Sequence, residues 1–197
     1  MYEELYEKIA NQLVETGYII LEQEMLELAK ALLAKKGDIA NFKNAGISKQ
    51  INIDTFRRRD KIAWLNKDGG AQSEFLSFAK GLQEYLNRAL FLGLRYYEAH
   101  FATYEKGDFY ETHLDAFRGA KNRVVTTVFY LNEDWKEDDG GELCIYDENQ
   151  ELLRKLLPTQ GTLVVFLSEK FPHEVLPANK KRHSIAGWFR VDKLPTF

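Results

Sequence analysis

The stretch "GLRYYEAHFATYEKGDFYETHLDAF", residues 93–117, is where the chain changes character. Before it, apolar residues recur at helical spacing; after Gly93 they fall into short alternating or continuous runs. These runs occupy 94–104, 109–115, 124–131, 142–147, 161–167, 173–177 and 183–191, with turn residues between them. Alternation with a period of two sends successive side chains to opposite faces, as strands do. No helix long enough for a βαβ crossover separates the runs, so the pattern predicts a sandwich or barrel. "ELLRKLLP", 151–158, is ambiguous between a turn of helix and a strand.

Working backwards from Gly93, "AQSEFLSFAKGLQEYLNRALFLG", 71–93, is the longest helical pattern, with Ser73 as a candidate N-cap and "KDGG" as the turn before it. "DKIAWLN", 60–66, alternates as a strand does. Residues 38–59 lose all period and read as loop and short strand ending in the basic run Arg57–Arg59. A helix is expected over 22–37, with Met25, Leu26, Leu28, Ala29 and Leu32 on one face and a stop at Gly37 beside two lysines. Residues 17–22 read as a strand and 3–16 as a first helix. There is no repeat and no linker-like tract, so one domain over 1–197 is expected: a helix-rich support at 1–93 packed on a β core at 94–197.

Bulk properties narrow the function. The 197 residues suffice for a sizeable core, and ten Tyr, thirteen Phe and three Trp suit a sheet-rich protein. A net charge of -3 gives no general attraction to phosphate backbones, so nucleic acid is not an expected partner. The single cysteine, Cys144, excludes an intrachain disulfide and any paired-cysteine metal knuckle. The acidic, amphipathic start is unlike a signal peptide and no apolar run approaches a membrane span, so a soluble, cytoplasmic protein without a membrane partner is expected.

Within the opening stretch, His113 and Asp115 stand two residues apart in a strand candidate, which places both side chains on one face. A half-buried histidine beside a turn-forming aspartate would look the same. A third ligand is available in His173, at the start of the strand in "KFPHEVLP". Two imidazoles and a carboxylate can hold a non-haem iron with open positions, or a zinc; spacing does not separate them. Arg182 opens the strand nine residues later, where a guanidinium facing the sheet interior would need a fixed anion such as a cosubstrate carboxylate. A solvated Lys180–Arg182 loop is the plain alternative. His100 and His183 are assigned no ligand role: His100 reads as a satisfied sheet histidine, and His183 should face away from Arg182. The sequence lacks a nucleophile elbow, a P-loop, a dinucleotide fingerprint and a zinc-protease helix motif. "DDGGEL", 138–143, reads as a tight turn into a strand.

The segments "YETHLD", "RVVTTVFYLNEDW", "GGELCIYD", "LVVFLSEKFPHEVLPA" and "RHSIAGWFR" together resemble the iron and 2-oxoglutarate dependent prolyl hydroxylases of proteins. The similar branch holds the hypoxia-inducible-factor prolyl hydroxylases and bacterial relatives acting on elongation factor Tu. The likeness runs in order from about "FRRRDKIAWL" at 56 to Phe189. It implies a mainly β double-stranded β-helix, or cupin-like jelly roll, with N-terminal helices packed on the sheet. It also implies Fe(II) ligands His113, Asp115 and His173, 2-oxoglutarate held by Arg182 and Tyr130 between Val128 and Leu143, and O2 as cosubstrate, with ascorbate as an accessory. Tyr110 and Trp188 would line the site, and Arg58, Asp60 and Lys61 would belong to a substrate-covering loop at 55–66. Arg59 stands where the family typically has glycine, and Ala186 where some relatives have threonine. The implied reaction is hydroxylation of a prolyl residue, at C4, in a protein such as elongation factor Tu, with 2-oxoglutarate converted to succinate and CO2. A 2-oxoglutarate oxygenase acting on a free amino acid or another small molecule and a non-catalytic binding module that retains the fold are the other readings.

Overall fold

The computed structural model describes residues 2–36, 43–44, 59–67, 69–116 and 122–192. Three helices, α1 (Glu3–Glu15), α2 (Leu26–Lys36) and α3 (Ala71–Leu90), accompany eleven strands. In chain order these are β1 (Tyr18–Leu21), β2 (Lys43–Asn44), β3 (Lys61–Trp64), β4 (Tyr96–Tyr104), β5 (Tyr110–His113), β6 (Arg123–Tyr130), β7 (Leu143–Tyr146), β8 (Leu152–Leu156), β9 (Leu163–Leu167), β10 (His173–Val175) and β11 (Arg182–Arg190). They form a seven-stranded sheet, β1-β9-β6-β11-β4-β3-β2, and a four-stranded sheet, β5-β10-β7-β8. All pairs are antiparallel. From β4 onward the chain passes back and forth between the sheets, which makes the core a double-stranded β-helix, as the sequence resemblance implied.

Burial explains why the central strands read as near-continuous apolar runs. The larger sheet is covered on both faces, and its strands divide their residues between two cores. Val125 and Phe129 of β6, Leu163 and Val165 of β9, and Ile185 and Phe189 of β11 face the helices, against Leu13, Leu32, Phe75, Leu82 and Leu86. Val128 and Tyr130 of β6 and Val164 and Phe166 of β9 face the smaller sheet, against Leu143, Ile145 and Val175. The face between the sheets carries the chemistry; the other anchors the helices. Gly187 serves the second face: a Cβ there would collide with the Tyr97 hydroxyl. That hydroxyl instead crosses β11 to meet Thr127 Oγ1 at 2.6 Å.

Several local expectations change. "ELLRKLLP" is strand β8, paired to β7 from Leu143↔Leu156 onward. The second helix starts at Leu26, not residue 22, because Gln23 has φ 58° and breaks the helical path. Gly70, not Ser73, caps α3; Ser73 Oγ sits in the first turn and accepts the Gly69 N–H at 2.8 Å. Within the expected covering loop at 55–66, residues 61–64 form a strand bonded to β4. Arg57, Arg58 and Gly37 lie outside the described residues. No helix among the described residues is long and apolar enough to cross a membrane.

Candidate active site

The opening stretch delivers its pair where strand alternation requires. His113 ends β5 and lies directly across from His173, the first residue of β10. Asp115, two residues beyond, turns its carboxylate between them: His113 Nε2 is 3.7 Å from Oδ1 and His173 Nε2 is 3.5 Å from Oδ2. One ligand atom from each of the three falls within 4.8 Å of the others. The outer nitrogens settle the tautomers. His113 Nδ1 donates to the Glu111 carbonyl at 2.7 Å and His173 Nδ1 to the Phe171 carbonyl at 3.0 Å. A carbonyl can only accept, so in the neutral imidazoles the lone pair a metal would take sits on Nε2.

Asp115 is held from the larger sheet as well. Thr126 Oγ1 donates to its Oδ2 at 2.9 Å and also meets Ser168 Oγ at 2.8 Å, all three residues being buried. Arg123 lies 4.0 Å from Oδ1 and stacks 3.8 Å over the Trp188 ring. Burial alone would raise the Asp115 carboxyl. With no metal between them, the charge that His173 and His113 carry when protonated, helped by Trp188 and Arg123, outweighs burial and holds it below the usual carboxylate range. It is therefore an anion at neutral pH, as a divalent-cation ligand must be.

The pocket continues inward to Arg182, only 1% exposed at the start of β11. Its Nε donates to the Gly141 carbonyl at 2.8 Å and its Nη1 to Ser184 Oγ at 3.4 Å. The glycine pair of "DDGGEL" accounts for the first bond. Gly141 has φ +71°, and a Cβ there would press on Arg182 Cδ at 3.1 Å and Ala178 Cβ at 3.0 Å. Asn132 secures the strand beside it: Oδ1 accepts the His183 N–H at 2.6 Å and Nδ2 donates to the His183 carbonyl at 3.0 Å. Rings of Tyr104 and Tyr130 flank the guanidinium at 4.9 and 5.1 Å.

No carboxylate among the described residues pairs with Arg182, and the buried Tyr130 hydroxyl has no hydrogen-bond partner. Burial pushes the Tyr130 phenol up to about 12 against the opposing pull of Arg182, so it keeps its proton. A buried cation that lines a cavity with no carboxylate beside it is costly unless an anion completes it.

The cavity, about 570 Å³ counting its open mouth, is lined by nearly all of the expected site residues. His113, Asp115, His173, Arg182, Val128, Leu143, Tyr110, Trp188 and Asp60 all reach it, with Tyr110 stacked on His113 at a centroid distance of 3.7 Å. Tyr130 is not among the lining residues; its ring packs against Arg182 at 5.1 Å. Lys61 does not reach the cavity: it is exposed and sits opposite Thr103, whose hydroxyl meets His183 on the far side of the sheet. Alternation explains this, since Asp60 points in and its neighbour must point out. Ala186 also lines the cavity.

Sequence reasoning missed Thr126, Ser184, Arg123 and His100, all of which line the cavity. Thr126 and Ser184 are two residues from Val128 and Arg182, so the period of two already marked them. Arg123 was not legible, because a register shift at Phe189/Arg190 brings it into phase. His183 faces away from the pocket, as anticipated, bonded to Thr103 at 3.1 Å.

The family model of the 2OG-Fe(II) oxygenase superfamily matches residues 99–190. A Pseudomonas putida prolyl-4-hydroxylase structure superposes with a TM-score of 0.86 and 35% identity, covering 95% of this chain and 100% of that one. The chain belongs to the prolyl hydroxylase family of 2OG-Fe(II) oxygenases. A second prolyl hydroxylase, from Trichoplax adhaerens in complex with a hypoxia-inducible-factor peptide fragment, is 28% identical with a TM-score of 0.78, covering 95% of this chain and 90% of that one. The hypoxia-inducible factor prolyl hydroxylase of Caenorhabditis elegans is 38% identical over 73 residues, 36% of this chain. This chain spans only 10% of the length of that curated relative.

The prolyl hydroxylase family uses Fe(II), 2-oxoglutarate and O2, and the side chains fit that set. His113, Asp115 and His173 offer two neutral nitrogens and one carboxylate, the facial triad of non-haem iron. Arg182 brings guanidinium donors to the inner end of the cavity, and no acid among the described residues pairs with it.

Proposed function

We propose that this prolyl hydroxylase family member hydroxylates C4 of a prolyl residue in a protein substrate and converts 2-oxoglutarate to succinate and CO2. The observation that supports the reading most is the pairing of an open His–Asp–His triad with a buried arginine that has no carboxylate partner among the described residues. When bound, Fe(II) supplies the centre at which O2 is consumed with 2-oxoglutarate, one oxygen atom entering succinate and the other the prolyl C–H bond.

The chain's own part is placement. Arg182, with Nε committed to Gly141, retains N–H donors for the far carboxylate of 2-oxoglutarate, and Tyr130 adds an O–H. Such bonds are charge-assisted and buried, so they fix which end of the cosubstrate faces the triad. Val128, Leu143 and Val175 keep water from its methylene carbons. Thr126 fixes the Asp115 carboxylate plane, and the Glu111 and Phe171 carbonyls fix the two imidazoles. Tyr110, Trp188 and Asp60 line the rest of the cavity, where the substrate would enter.

Elongation factor Tu is the protein substrate we favour, supported by the sequence resemblance to bacterial relatives, with the cytoplasm as the compartment. The test is to incubate the purified chain with Fe(II), 2-oxoglutarate, ascorbate and O2, separately with elongation factor Tu, with proline-containing peptides and with free proline. The reading expects succinate formation matched by gain of one oxygen on a prolyl residue of protein or peptide. Turnover of free proline alone would refute it.

A further inference from the structure

A second concavity lies outside the metal pocket, between the end of β3, the outer edge of β4 and α3, with about 1880 Å³ of space counting its open side. We propose that it docks an acidic, extended flank of the same polypeptide whose prolyl residue enters the metal pocket. The proposal rests on the hydroxylase reading and adds a substrate preference to it.

The groove and the pocket share a wall. Trp64, the last residue of β3, lines the groove and is 54% exposed, large for so big an apolar side chain. Its ring meets His100 edge-on at 5.3 Å, and His100, which lines the metal pocket, lies 5.4 Å from Trp188. Three rings therefore lead from the groove to the residue beside Asp115. These two spacings correspond to roughly three or four residues of extended chain, which sets how far from the target proline the docked flank begins.

The backbone offers a place for such a flank. Strand β3 covers β4 only from His100 to Thr103, and Leu65 N–H adds a bond to the Ala99 carbonyl. From Tyr96 to Glu98, β4 is paired on its β11 side alone among the described strands. An added peptide strand along that edge would continue the line of β3.

Charge selects the peptide. The groove's cations are Lys67, Lys80 and Arg95, around the apolar surface of Trp64, Leu65 and Leu76. Its one acid among the lining residues, Glu98, is already committed to Arg190 at 2.6 Å and Arg123 at 3.5 Å. Lys80 has only an exposed contact with Glu84 at 3.8 Å, too loose to neutralise it. A chain with a net charge of -3 thus presents a positive groove beside its pocket, and the complementary partner is an acidic segment.

The experiment titrates fluorescein-labelled proline peptides against the full chain by anisotropy. Their flanks carry Asp and Glu, Asn and Gln, or Lys, on either side of the proline. The acidic peptide is expected to bind roughly tenfold more tightly than the neutral one at low salt, as two or three rim charges would give. The double variant K80E/R95E should abolish that preference and leave binding of an unflanked proline peptide unchanged. W64A should weaken all flanked peptides. In turnover, K80E/R95E should raise KM for the acidic peptide with kcat unchanged. Affinity independent of flank charge, or unaltered in K80E/R95E, would overturn the proposal; so would a change of oligomeric state in W64A, which would assign the groove to a second copy of the chain. Charge-dependent binding without prolyl oxidation would refute the hydroxylase reading while leaving the groove assignment standing.

Discussion

Replacing Thr126 with valine isolates what holds the metal-binding carboxylate in place. Valine keeps the shape of threonine and loses one hydroxyl, which in the structure donates to Asp115 Oδ2 at 2.9 Å and meets Ser168 Oγ at 2.8 Å. Both partners are buried, Ser168 completely, so neither can turn to water for compensation. A bond to a charged group is worth about 1.5–3 kcal/mol, and a buried hydroxyl left without a partner costs about 1–3 kcal/mol. The first figure bears on the metal. Losing a group that orients a ligand typically weakens a site about 10–100-fold, and T126V is expected to raise the dissociation constant for Mn(II), a redox-inert stand-in for Fe(II), by that factor. The second figure bears on the fold, with an expected fall in the metal-free melting temperature of a few degrees. Anaerobic Mn(II) titration by electron paramagnetic resonance, with thermal unfolding of the metal-free chain, reads the two separately. Wild-type metal affinity in a destabilised T126V would show that Asp115 is oriented without Thr126, and the reasoning would fail.

R182A should raise the KM for 2-oxoglutarate by about 10²-fold or more, from the loss of a buried charged partner, while Mn(II) affinity stays near wild type; H113A should abolish metal binding and turnover together. Tyr130 makes a pH prediction: its phenol is at about 12 in the fold against 10.0 unfolded, so its effect on stability is nil below pH 10 and becomes a loss as pH rises toward 12, on the order of 2 kcal/mol. Y130F should blunt that alkaline loss in denaturant titrations across the same range, and an unchanged slope would contradict the burial argument. L82A, at a fully buried position on α3, should cost about 2–5 kcal/mol without altering metal affinity, because Leu82 packs on the face of the sheet opposite the site.

How far the sequence could be read depended on whether a feature was set by neighbours along the chain or across the sheets. The ligand pair was legible because a period of two fixes His113 and Asp115 on one face. The same period, extended from Val128 and Arg182, reaches Thr126 and Ser184 without further information. Arg123 required the bulge that shifts β6 against β11, which depends on pairing and not on composition. His100 read as a satisfied sheet histidine because nothing local says that Trp64 and Trp188 will stand on either side of it. "ELLRKLLP" stayed ambiguous since five residues of apolar and charged character fit a helical turn as well as a strand; pairing to β7 decided it.

The division of the site between two sheets follows from what each part must do. His113 and His173 pair directly across β5 and β10 in the smaller sheet, so their separation is fixed by strand geometry alone. Arg182, Ser184 and Tyr130 belong to the larger sheet, whose register fixes the depth at which the proposed 2-oxoglutarate would bind. Asp115 joins the two: it follows β5 in the chain and is gripped by Thr126 from β6. That grip, with Arg123 at 4.0 Å from the same carboxylate and Phe166 edge-on to His173 at 4.9 Å, ties the triad to the larger sheet through side chains. A substitution that merely loosens packing between the sheets should therefore impair coupling between cosubstrate consumption and product formation before it impairs binding of either metal or 2-oxoglutarate.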